Sequence, residues 1–177
     1  MDAVVLDGGA ARRTAEAEVE RLFRAEYAGL VRLASLLLDD RSGAEEVVQD
    51  AFVHLQTGWG RLRDPDKAPA WLRSAVLNGA RSRLRHRQVR RRRADAPPGV
   101  APSAEAGAMV GAEHRRVVAA LRGLAERQRE ALVLKYYLEL SEVEIAAAMG
   151  VSTGTVKTHV HRGLAALQAT LGVEEDR

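Results

Sequence analysis

A chain of 177 residues, 46% of them hydrophobic, carries enough apolar material for a packed core, and its length leaves open one ordinary domain or two small ones. The absence of cysteine excludes a disulfide framework, thiolate metal sites and a cysteine nucleophile. The formal net charge of +3 is unevenly placed: residues 81–93 read RSRLRHRQVRRRR, eight arginines without an acid, which leaves 19 basic against 24 acidic residues elsewhere.

A focused arginine run in an otherwise acidic chain favours a polyanionic partner, nucleic acid before membrane lipid. The plainer alternative is a solvated helix end. Residues 1–9 are polar and lack the apolar core of a signal peptide, and runs such as Leu36-Leu37-Leu38 are too short to span a bilayer. The expectation is a soluble, cytoplasmic protein with no membrane partner.

In chain order, Phe23, Tyr27, Leu30, Val31, Ala34, Leu37 and Leu38 recur at steps of three and four, one face of a first helix. A turn-like stretch at 39–43 precedes a second helix marked by Val47, Val48, Ala51, Phe52 and Leu55. Two glycines and two prolines break the pattern over 58–69. Trp71, Leu72, Ala75, Val76 and Leu84 then mark a third helix that runs on into the arginines.

Residues 94–113 read ADAPPGVAPSAEAGAMVGAE, small and proline-rich, which predicts a flexible linker with a span of roughly 25 Å. Helical spacing resumes with Val117, Val118, Leu121 and Leu124, then Ala131, Leu132, Leu134 and Leu138. Ser141 followed by Glu144 is a capping-box signature opening a short helix with Ile145, Ala146 and Met149 inward. Gly150 is a left-handed C-cap candidate, Val151 plugs the turn, and Ser152 is placed to cap the next helix. That helix carries one apolar stripe of Val156, Val160, Leu164, Leu167 and Leu171. Short helix, glycine turn and second helix make a helix-turn-helix pattern, against the blander reading of an ordinary helical corner.

With that stripe inward, Gly154, Thr155, Thr158, His161, Arg162 and Ala165 point outward, with Lys157 on the flank. Hydroxyls and basic groups on a face with small residues suit a DNA major groove. The predicted fold is all-α: two separate small helical domains joined by a flexible linker, the second a helix-turn-helix domain.

Other chemistry is discounted on spacing. His159 and His161 lie about 200° apart on a helix and cannot clamp one ion. Glu45, Glu46, Gln49 and Asp50 crowd one side of the second helix, without a His, Lys or metal-ligand partner for acid–base work. Trp71, in phase with Leu72 and Ala75, is expected in the core, and Trp59 is open between core and base stacking. No phosphate-binding glycine loop or nucleophile elbow occurs. No catalytic residue, metal or cofactor is therefore expected.

The two blocks LFRAEYAGLVRLASLLLDDRSGAEEVVQDAFVHL and LRGLAERQREALVLKYYLELSEVEIAAAMGVSTGTVKTHVHRGLAAL resemble regions two and four of the sigma-70 family of RNA polymerase sigma factors, in the small extracytoplasmic-function (ECF) group. The resemblance covers about residues 20–171. It implies a region-two-like domain at 15–93, the linker at 94–113 and a region-four-like domain at 114–172. Glu45, Glu46, Gln49 and Asp50 then fall on the helix that grips the β′ clamp helices of polymerase. Arg61, Arg63 and Asp64 fall on the loop that captures a flipped base, and Asn78, Arg81, Arg83 and Arg85 on the helix along minus-ten DNA. Ser152, Thr153, Thr155, Lys157, Thr158, His161 and Arg162 fall on the helix that reads the minus-35 element.

The implied partners are core RNA polymerase, at its β′ clamp helices and β flap, and promoter DNA, with an anti-sigma protein as a further candidate. The chain departs from the family pattern at Ser82, where many relatives carry Asp, at Arg81 in place of Leu, and at His161. An operator-binding regulator that does not join polymerase is the rival reading. An enzyme acting on nucleic acid is a third, and it lacks a catalytic constellation.

Overall fold

The computed structural model describes residues 7–38, 40–93 and 111–172, and among these every regular element is helical. The order is α1 (Asp7–Leu37), α2 (Arg41–Gly58), two 3-10 turns at Trp59–Arg61 and Pro65–Lys67, α3 (Ala68–Arg93), α4 (Ala112–Gly123), α5 (Glu126–Leu132) continuing into a π turn at Val133–Tyr137, α6 (Glu142–Met149) and α7 (Thr153–Leu171). The all-α expectation holds. Most of the predicted linker, 94–110, lies outside the described residues, and helix resumes at Ala112, two residues before the predicted domain start.

The first unit is built by α1 to α3. Leu22, Leu30, Leu33, Ala34 and Leu37 of α1 bury the face that their three- and four-residue spacing implies. They meet Ala44, Val47, Val48, Ala51, Phe52 and Leu55 of α2 and Ala68, Leu72, Val76, Leu77 and Ala80 of α3. Each large side chain fully buried this way contributes about 1.5–3 kcal/mol. Phe23 stays partly exposed, stacked on Tyr27 at 4.5 Å and edge-on to Phe52 at 5.1 Å.

The bend between α1 and α2 is shorter than the turn residues suggest. Helix α2 starts at Arg41, so Ser42 and Gly43 already lie in its first turn. Pro69 sits in the first turn of α3, where its missing N–H has no intrahelical acceptor to lose. At Gly79 of α3, a Cβ would lie only 2.7 Å from Val47 Cγ1, so this glycine is what lets α2 and α3 approach.

The second unit follows the predicted punctuation closely. Ser141 Oγ accepts from the Glu144 amide and the Glu144 carboxylate accepts from the Ser141 amide, completing the capping box. Gly150 has φ 67°, the left-handed cap. Ser152 Oγ accepts from the Thr155 amide and opens α7. Val156 and Val160 are buried with Ile145, Ala146 and Met149, while Leu164 and Leu167 pack partly buried against them. Gly163 of α7 is buried against Leu132 of α5.

The π turn between α5 and α6 has no antecedent in the spacing. Leu138 donates to the Val133 carbonyl and Leu140 to that of Leu134, with Glu139 at φ 53°. The widened turn leaves Tyr136 and Tyr137 exposed, while Leu138 and Leu140 pack on the core.

The two units are distinct in sequence, and they also touch. Helix α3 lies against α6, and α1 against α4 and α5. Arg32 of α1 donates to the Tyr137 hydroxyl at 2.6 Å, and Arg81 of α3 pairs with Glu130 of α5 at 2.7 Å.

Candidate nucleic-acid interface

Helices α2 and α3 form the walls of an open groove of about 1040 Å³. Glu46 and Asp50 line it from α2; Trp71, Asn78, Ser82 and Arg83 line it from α3. Residues read from the sequence as polymerase-facing and as DNA-facing thus share one groove. Trp71 corrects an expectation, since it is exposed on this groove and not in the core. Its helical phase lies one step outside the stripe of Leu72 and Val76, and one residue step turns a side chain by 100°. Trp59, left open by the sequence, packs partly buried against the core.

The acidic residues of α2 differ in their engagements. Gln49 and Asp50 are exposed. Glu45 is half-buried and accepts from Arg41 Nε at 3.1 Å. Glu46 is exposed but pairs with Arg83, whose other terminal nitrogen reaches Asp40 at 3.1 Å. The Asp40 carboxyl is held below its ordinary range, first by the nearby Gly43 amide and then by Arg83, with burial opposing both. Arg83 is raised by its two carboxylate partners against the cost of burial. It staples the start of α2 to α3.

The remaining minus-ten residues scatter. Arg61 and Arg63 are exposed on the loop. Asp64 is occupied as a cap of the second 3-10 turn, accepting from the Asp66 amide at 3.2 Å and pairing with Lys67. Asn78 is exposed and accepts from Arg81 Nη1 at 2.9 Å. Arg85 is exposed one turn beyond Arg81. The side chains of residues 91–93 lie outside the described set.

Helix α7 leaves Thr153, Gly154, Lys157, Thr158, His161 and Arg162 exposed; Gly154, Thr158, His161 and Arg162 turn away from Val156 and Val160, Lys157 stands on the flank, and Thr153 is the first residue of the helix. Thr155 is half-buried, its hydroxyl 2.9 Å from that of Ser152, so both belong partly to the cap. Thr158 spends its hydroxyl proton on the Gly154 carbonyl at 3.0 Å and keeps lone pairs for a donor. Lys157 reaches Glu142 at 3.5 Å. The face is polar, basic toward its middle, and small where α7 begins.

Sequence reasoning missed Glu130. This carboxylate is 2% exposed between Arg81 and Arg127. Its signal is its phase: it stands four residues before the fully buried Leu134, so an acid falls on the inward stripe. Among the described residues no cluster of three or more His, Asp or Glu is placed to hold a metal ion. No helix among them is long and apolar enough to cross a membrane.

The profile "Sigma-70 region 2" matches residues 22–90, and "Sigma-70, region 4" matches residues 114–167. The RNA polymerase sigma-E factor of Streptomyces avermitilis is 31% identical over 154 residues, covering 87% of this chain and 85% of that protein. The ECF RNA polymerase sigma factor SigM of Mycobacterium tuberculosis is 33% identical over 158 residues, covering 86% and 76%. Among solved structures, the sigma factor RpoE in complex with the anti-sigma factor NepR from Bartonella quintana is similar, with a TM-score of 0.76 at 25% identity over 89% of this chain and 98% of that one. CnrH in complex with the cytosolic domain of CnrY is similar with a TM-score of 0.66 at 26% identity, over 93% and 98%.

Proposed function

Because this chain belongs to the sigma-70 family of RNA polymerase sigma factors, in its ECF group, we propose that its two helical units divide the reading of one promoter between them. The chain is a sigma factor that binds core polymerase and directs transcription initiation. In the proposed division, residues 15–93 dock on the clamp helices through Glu45, Glu46, Gln49 and Asp50 of α2. The same unit meets minus-ten DNA through Arg61, Arg63, Asn78, Arg81 and Arg85. Asp64 and Arg83 act there mainly as structural ties, since their side chains are engaged by residues of the same unit, whereas Arg81 is engaged chiefly by Glu130 of the other. Residues 114–172 read the minus-35 element through α7, with 94–113 as the tether.

The chain acts by binding and not by covalent catalysis. Capturing an unstacked base offsets a few kcal/mol of unstacking, which is how binding alone promotes melting. Trp71, exposed beside Asn78, offers a stacking surface in the groove. One similar structure holds the anti-sigma factor NepR, and a partner of that kind is proposed here, acting with this chain in the cytoplasm.

The observation that carries the minus-35 assignment is α7. Its Ser152 cap is engaged, Val156 and Val160 are buried inside the unit with Leu164 and Leu167 packed partly buried beside them, and its polar face is exposed. The test compares a native minus-35 promoter with a scrambled one, using core polymerase that has co-purified with the chain in the absence of DNA. Arg162→Ala should lower transcription from the native promoter by the equivalent of about 1–3 kcal/mol and leave the scrambled one unchanged. Equal loss on both promoters would show α7 touching backbone or polymerase instead. Failure to retain core polymerase without DNA would favour the operator-binding regulator.

A further inference from the structure

The contact between the two units is centred on one charged pair. Arg81 of α3 donates from Nε to Glu130 Oε1 and from Nη2 to Glu130 Oε2, both at 2.7 Å across 49 positions of sequence. Its remaining terminal nitrogen donates to Asn78 at 2.9 Å. Glu130 is 2% exposed and the Arg81 side chain 16%, whereas the intra-helical pairs on α1 and α2 stand mostly in water. Close by, α6 seats against α3, and Arg32 binds the Tyr137 hydroxyl across the same division.

A fork-to-fork guanidinium–carboxylate pair uses the donor geometry that would grip a phosphate. We propose that Glu130 is an internal competitor for Arg81: it stands in for a DNA phosphate, latches the second unit over part of α3, and must be displaced before that helix meets DNA. The proposal rests on the reading of α3 as the minus-ten helix. The pair is suited to a latch for an electrostatic reason. Burying two charges costs nearly what their attraction returns, so the closed form holds by a modest margin. A polyanion with several phosphates supplies the difference, and the exposed Arg85 offers it a first foothold.

The test reads closure and DNA binding separately. Because the chain has no cysteine, Val53→Cys on α2 and Ala169→Cys on α7, both exposed, take a donor and an acceptor dye. Transfer efficiency is measured on the full chain, and affinity is measured for a random-sequence single-stranded oligonucleotide. Glu130→Gln should lower transfer and raise affinity, about tenfold if the closed form holds about nine-tenths of the free chain. Arg81→Gln should lower transfer equally without that gain, and the double variant should open no further. Unchanged transfer in Glu130→Gln, with helicity intact, overturns the latch. Opening without a gain in affinity overturns the competition; if Arg81→Gln then binds the oligonucleotide as tightly as the parent, the minus-ten reading of Arg81 falls with it. The unmutated chain supplies a measurement that does not depend on folding of a variant. Saturating oligonucleotide should lower its transfer, and constant transfer at saturation overturns the proposal.

Discussion

Replacing Gly79 by Ala should destabilise the first unit, although Ala is the better helix former. The gain from propensity is about 1 kcal/mol in a helix interior. Against it stands the α2–α3 crossing, where the new Cβ would lie 2.7 Å from Val47 Cγ1 and 3.6 Å from Val47 Cβ and Cγ2. Carbon atoms pack at about 3.5–4.0 Å, so the overlap approaches an ångström. Val47 is a stiff β-branched side chain, 7% exposed, with little room to turn away. Overpacking of this kind costs about 1–3 kcal/mol, leaving a net loss of about 1 kcal/mol. Val47→Ala removes the obstructing methyls and should itself cost about 1.5 kcal/mol at about 0.8 per buried carbon. In that background Gly79→Ala should stabilise by about 1 kcal/mol, a coupling of about 2 kcal/mol. Urea unfolding followed by tryptophan fluorescence measures this in the correct unit, because both tryptophans, Trp59 and Trp71, lie in it. If Gly79→Ala stabilises the parent and the Val47→Ala variant alike, the close approach of α2 to α3 does not constrain the groove as argued.

Two further outcomes test the electrostatics. Arg85→Ala should reduce the salt slope of DNA binding by about one, as loss of a phosphate contact does, whereas Arg83→Ala should leave the slope nearly unchanged and cost about 1 kcal/mol of stability; equal slope changes would return Arg83 to the DNA-binding set. Asp40 has a lowered folded pKa, so its contribution to stability is present above its ordinary value of 3.8 and is lost as pH falls through the folded value. Asp40→Asn should therefore flatten the decline of stability on the acid side, and an unchanged acid limb in unfolding measurements would count against the Asp40–Arg83 tie.

Local signals in the sequence carry far in this protein because helices are short-range objects. The capping box at Ser141 and Glu144, the left-handed Gly150 and the Ser152 cap each depend on residues within three or four positions, and each stands in the structure where spacing places it. The stripe of α7 likewise determines which residues face outward, so the polar face from Gly154 to Arg162 was legible before any coordinates. Family resemblance added the division into polymerase, minus-ten and minus-35 surfaces, which no periodicity encodes.

Engagements between residues distant in the chain arise only when the helices pack. Arg81, Arg83 and Arg85 look equivalent in an arginine run, yet one is bound to Glu130, one staples Asp40 and Glu46, and one is exposed. Trp71 takes a place that phase alone misjudged, because a 100° step between neighbours separates core from groove, and Trp59, which phase left open, packs partly buried against the core. The sequence determines each helix face through bonds a few residues long. Which charge on that face is free depends on the helix packed across from it, and that partner is chosen by the fold of the whole chain.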